Sequence, residues 1–62
     1  MTVIEQVTID GVEYKLFIND RGPAVRVKDV DANEVVTIIN YPNHKMAQGA
    51  YVAATEYART MV

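Results

Sequence analysis

The segment from Asn43 to Met61 has the residue pattern of one long amphipathic helix, with Asn43 as its N-cap and Pro42 ending the preceding strand. With 3.6 residues per turn, its apolar side chains fall within an arc of roughly 160°. A helix that packs on one core needs only about 100°. The pattern therefore predicts that one edge of the apolar arc, its margin, extends beyond the surface that packs on the core. The arc contains Met46, Ala47, Ala50, Tyr51, Ala53, Ala54, Tyr57, Ala58 and Met61.

The residues before this helix form four short segments rich in Val, Ile, Thr and Tyr, which is typical of β-strands. Asp10-Gly11 favours a two-residue type I′ turn, because both turn positions need a positive φ. Such a turn places Ile9 opposite Val12 and fixes which side chains share a face. We predict strands at about 2–9, 12–18, 24–30 and 34–41 and a helix at about 43–61.

The predicted fold class is α+β, with residues 1–62 forming a single domain. Its sheet is a four-stranded antiparallel meander, and the C-terminal helix packs on one face of it. A four-stranded sheet is about 19 Å wide and a helix about 10 Å across, so one helix leaves part of the sheet uncovered. The run Val35 to Ile39 does not alternate, which predicts that both faces of the fourth strand are covered.

The chain is short and lacks the covalent links that often stabilise small domains. It has 62 residues and no cysteine, so disulfides and thiolate metal sites are excluded. Self-association is then the expected source of extra stability, and we predict a homodimer. Half of the residues are apolar, the net charge is -2, and no segment predicts a membrane span or an export signal. The expected localisation is cytoplasmic.

The residue types needed for catalysis are nearly absent. The chain contains no serine or cysteine, and its one histidine, His44, stands in the first turn of the predicted helix. We therefore predict that the protein is not an enzyme and needs no cofactor or metal. The segment Asp29 to Asn33 matches the opening of a calcium loop, but Glu34 stands where glycine is required. An ordinary turn explains that segment better.

The margin of the helix arc predicts a binding surface for another protein. Its candidate interface residues are Met46, Ala53, Tyr57 and Thr60, with tyrosine as the strongest anchor type among them. The leading hypothesis is a non-enzymatic protein-interaction module that self-associates and binds a protein partner. A small inhibitor or regulator of the kind that phages and mobile elements encode fits a compact, mildly acidic chain without catalytic residues.

An alternative function uses the sheet face away from the helix. Alternation places Lys15, Phe17, Arg26 and Lys28 there, and basic residues beside an aromatic can contact phosphates and bases. The competing interpretation is a solvated sheet face on which Phe17 pairs across strands, because acidic residues dilute the positive charge. The alternative hypothesis is therefore a small nucleic-acid-binding protein.

The layout from Arg21-Gly22 to Ala54 resembles the plant ethylene-response-factor DNA-binding domain and the arm-binding domains of tyrosine recombinases. The resemblance covers about two-thirds of the chain and implies a three-stranded antiparallel sheet packed on one helix. In that family, strand arginines and tryptophans read DNA, and here Arg26 and Lys28 take such places. The residues that carry the resemblance are Tyr41, Ala47, Ala50, Tyr51 and Ala54.

Overall fold

The computed structural model describes residues 1–62 and contains four strands followed by one helix. The strands pair in the order β1-β2-β3-β4, each antiparallel to its neighbour, and the helix packs on the sheet. The predicted α+β meander with a C-terminal helix is therefore confirmed. The elements are β1 (Thr2–Ile9), β2 (Val12–Asn19), β3 (Gly22–Asp29), β4 (Glu34–Asn40) and α1 (His44–Met61).

The first hairpin forms through the predicted two-residue turn. Asp10 has a φ of 51° and Gly11 a φ of 79°, which are the positive values that a type I′ turn requires. Ile9 lies opposite Val12 and Val7 opposite Tyr14. The local turn chemistry thus sets the register that brings the apolar faces of β1 and β2 together.

The third strand begins earlier than predicted, at Gly22 instead of residue 24. The turn before it has only two residues, and the amide of Arg21 donates to the side-chain oxygen of Asn19 at 2.9 Å. Pro23 then fits inside the ladder opposite Ile18. Its carbonyl accepts a hydrogen bond from the amide of Tyr41 at 2.9 Å, and Pro23 lies one residue outside the β3–β4 register, which starts with Ala24 opposite Asn40, so its missing N–H interrupts no pair of that register.

The core lies between α1 and the three strands β1, β2 and β3, whereas α1 has little contact with β4. Leu16 and Ala47 are fully buried, and Val25 and Tyr51 are nearly so. The small side chain of Ala47 lets the helix approach the sheet closely. Four partly buried residues surround this cluster, namely Val7, Tyr14, Tyr41 and Ala50.

The buried side of α1 includes one residue that lies outside the predicted arc. The sequence places Thr55 on the polar side, but the structure buries it, and its hydroxyl donates to the carbonyl of Tyr51 at 3.0 Å. Because that bond satisfies the hydroxyl within the helix, Thr55 packs at low cost. The helix is therefore rotated toward Thr55, and the opposite margin of the arc is left exposed.

Asn43 caps the helix as predicted. Its backbone is extended, and its side-chain oxygen accepts a hydrogen bond from the amide of Met46 at 2.9 Å. The helix accordingly starts at His44, one residue after the cap. Helix α1 lacks the combination of length and apolarity needed to cross a membrane.

Candidate protein interface

Strand β4 is apolar but exposed on both faces, so the prediction that both faces are covered is wrong for the single chain. Val36 is 65% exposed and Ile38 is 51% exposed. The reason is geometric, because a helix about 10 Å across cannot cover a four-stranded sheet and here lies over the other three strands. We call Val35, Val36, Ile38 and Ile39 the β4 edge patch.

The strand register shows that the β4 edge patch has side chains on both faces of the sheet. Ile39 pairs with Val25 of the core, so Ile39 points to the helix side of the sheet. Ile38 pairs with Arg26 and points to the opposite face. A bulge in β4 occurs where the pairing shifts between Val27 and Lys28, which leaves Val36 without a direct partner.

The predicted interface residues of the helix share one exposed margin. Tyr51 points into the core, where burial and then the nearby Glu5 carboxylate raise the pKa of its phenol. Helical spacing therefore turns the margin roughly opposite to Tyr51 away from the sheet. We call this margin the helix flank; it consists of Met46, Ala53, Tyr57 and Thr60, all exposed.

Tyr57 is the most prominent member of the helix flank. It is 68% exposed, and its ring lines a shallow cavity of about 280 Å³ between the last turn of α1 and the first hairpin. Tyr14 and Val12 form part of the floor, and Asp10 is the one charged residue in the lining. An apolar notch beside an exposed aromatic side chain can accept a side chain from another protein.

The residues predicted for nucleic-acid contact do share the sheet face away from the helix. Phe17 pairs with Val3 on one side and Ala24 on the other, and it is only 4% exposed. Its ring is therefore covered by neighbouring side chains of the same face, and it has little surface left for stacking on a base. Lys15 and Arg26 lie opposite each other two residues along the ladder, on the same face as Phe17.

A single carboxylate partly neutralises this basic face. Arg26 donates to Glu13 at 2.7 Å, and the Lys15 amine lies 3.9 Å from the same carboxylate oxygen. The hydrogen bond from Arg26 is the main cause that lowers the pKa of Glu13; burial opposes it, and the charges of Lys15, Arg26 and Lys28 add to the lowering. Lys28 forms no ion pair of its own. The face thus presents a paired charge cluster plus one unpaired cation.

No group of three or more His, Asp or Glu side chains is arranged to hold a metal ion. No protein-family model, curated protein or solved structure matches the chain. The resemblance to ethylene-response-factor and recombinase domains therefore stays a prediction. The geometry of the molecule alone indicates which surfaces are suited to binding.

The sequence predicts the helix flank and an uncovered part of the sheet, but it does not assign that part to β4. The non-alternating run Val35 to Ile39 instead favours a strand covered on both faces. The same pattern also describes a strand that no part of its own chain covers. Only the position of the helix distinguishes the two.

Proposed function

We propose that this protein is a non-enzymatic protein-interaction module that self-associates and acts by occupying a surface on another protein. A small inhibitor or regulator of phage or mobile-element type works in this way. The observation that carries the proposal is the exposure of two apolar surfaces, the β4 edge patch and the helix flank. Large apolar areas without cover are typical of protein-binding surfaces.

The energetics favour the use of both parts of this surface. The β4 edge patch has four side chains between 45% and 65% exposed, so its burial contributes roughly 3–6 kcal/mol. Association costs on the order of 4–15 kcal/mol in lost freedom of motion. Tyr57, 68% exposed, and Met46, 51% exposed, add roughly 2–4 kcal/mol. A stable complex therefore needs the helix flank as well as the strand.

The test is the molar mass in solution by light scattering over a tenfold concentration range. The wild-type chain of 6.9 kDa is expected to give a mass above that of one copy. Tyr57→Asp places a charge in the helix flank and is expected to return the mass to 6.9 kDa with the helix content unchanged. A wild-type mass of one copy at every concentration would remove self-association from the proposal.

Val52→Asp is the matched control for this variant. Val52 is 41% exposed on the same helix but lies away from both the sheet and the helix flank. The same charge at that position is expected to leave the mass of the wild type unchanged. Equal loss of association in both variants would mean that added charge, and not the helix flank, is responsible.

The second candidate function is nucleic-acid binding on the open sheet face, supported by the shared position of Lys15, Arg26 and Lys28; Phe17 lies on the same face but is only 4% exposed. Binding to single-stranded and duplex DNA at low salt is the test, followed by its loss as salt rises. Reversing the charge of Arg26 and Lys28 together should abolish such binding. Absence of binding by the wild type at low salt would end this alternative.

A further inference from the structure

We infer that two copies of this protein associate by antiparallel pairing of their β4 strands, which joins two four-stranded sheets into one of eight strands. The inference rests on the proposed self-association and specifies its geometry. It assigns the β4 edge to a second copy of the same chain.

The backbone of β4 has hydrogen-bonding groups that point away from the sheet. The amide of Tyr41 donates to the carbonyl of Pro23 in β3 at 2.9 Å. Because successive residues of a strand point their backbone groups to opposite sides, Ile39 also faces β3, whereas Ile38 and Asn40 face outward. Ile38 therefore offers a free N–H and C=O at an exposed edge, which is a template for another strand.

The sequence of β4 is compatible with a copy of itself. A twofold axis at Ile38 places this residue opposite Ile38 of the second copy and Thr37 opposite Ile39. Apolar or β-branched side chains then meet across the axis, which is a favourable combination in antiparallel sheets. The regular part of β4 begins after the bulge at Val36, and Glu34 lies before that bulge. The Glu34 carboxylates of the two copies therefore do not face each other.

The other edge of the sheet, β1, is a poorer site for pairing. Its exposed residues include Glu5 and Gln6, and α1 covers part of its inner face. Pairing of β1 with β4 of a second copy would also leave two open edges and continue into a fibre. Pairing of β4 with β4 closes on itself after two copies.

Twofold pairing also fixes where the two helices lie. Residues opposite each other in an antiparallel pair point to the same face, so both helices lie on one side of the joined sheet. A seven-residue strand about 24 Å long in a sheet layer about 10 Å thick offers roughly 240 Å² per copy, about a third of a standard interface.

The first test compares Ile38→Lys with Ile4→Lys, a matched substitution on the opposite edge, where Ile4 is 39% exposed. Lysine on an edge strand opposes pairing with another strand. We expect Ile38→Lys to weaken association at least 100-fold in light scattering, and Ile4→Lys to keep the wild-type mass. A chain synthesised with an N-methyl amide at Ile38 removes only the outward N–H and should act like Ile38→Lys.

The second test is amide hydrogen exchange at low and high protein concentration. The Ile38 amide is expected to exchange at least tenfold more slowly at the concentration where two copies associate. If Tyr57→Asp abolishes association while Ile38→Lys and the Ile38 amide show no change, the pairing inference is wrong and the proposed function stands. If Ile4→Lys dissociates the protein and Ile38→Lys does not, the inference is also wrong. If the wild type never exceeds the mass of one copy, both the pairing inference and the proposed self-association are wrong.

Discussion

Replacing Gly49 with alanine is expected to raise the free energy of unfolding by about 1 kcal/mol. Gly49 lies in the second turn of α1, and a Cβ added there would meet no atom within 4 Å. Its φ is not positive, so the backbone is one that alanine adopts readily. The gain comes from the larger conformational freedom that glycine has in the unfolded chain.

Urea denaturation followed by circular dichroism measures this change. A chain of this size has an m value of about 1 kcal/mol per molar urea, so the midpoint should rise by about 1 M. Gly22→Ala is the matched control, because a Cβ there also meets nothing within 4 Å but the φ is 112°. That variant is expected to lose about 1–3 kcal/mol to backbone strain.

A lower free energy of unfolding for Gly49→Ala would refute this reasoning, because no contact within the chain would account for it. The measurement is made at a concentration low enough for single copies. Gly49 stands one helical turn before Ala53, at the border of the helix flank. Greater stability of single copies together with weaker association would locate a close approach of another molecule at Gly49.

Two further predictions concern the core and the charge cluster. Leu16→Ala removes the largest fully buried side chain and is expected to cost about 3–5 kcal/mol in thermal or urea unfolding, against a total of roughly 3–9 kcal/mol for a domain of 62 residues. Glu13 has a folded pKa below its unfolded value, so its stabilising contribution is complete above the unfolded pKa and is lost as pH falls through the folded pKa. Glu13→Gln should lack this acid-dependent loss, and an unchanged pH profile would show that the hydrogen bond from Arg26 is unimportant for stability.

The fold was predictable where local chemistry decides it. Asp10-Gly11 specifies a turn, the turn specifies a register, and Asn43 specifies the start of the helix. The start of β3 was less predictable, because Pro23 suggests a break, although Pro23 lies just outside the β3–β4 register, where a missing N–H interrupts no pair. The burial of Thr55 was not predictable from polarity, since its hydroxyl finds a partner within its own helix.

Which surfaces are exposed depends on where the helix packs on the sheet, and no local pattern in the sequence determines this. Alternation correctly placed Phe17 and Arg26 on the open face of the sheet, but it could not show that neighbouring side chains cover the Phe17 ring. Helical periodicity predicted the helix flank. Ala47 and Tyr51 pack against Leu16 and so fix the position of α1 on the sheet. That position determines which strand stays uncovered, and it is a property of the assembled core.

The exposed fourth strand links the stability of this chain to its proposed function. Only 7 of 62 residues are buried, so the core of a single copy is small and further apolar burial would stabilise the fold. The β4 edge patch contains the apolar side chains that could supply it, at the edge where α1 cannot reach. If β4 pairs with a second copy, folding and association are coupled, and concentration controls both.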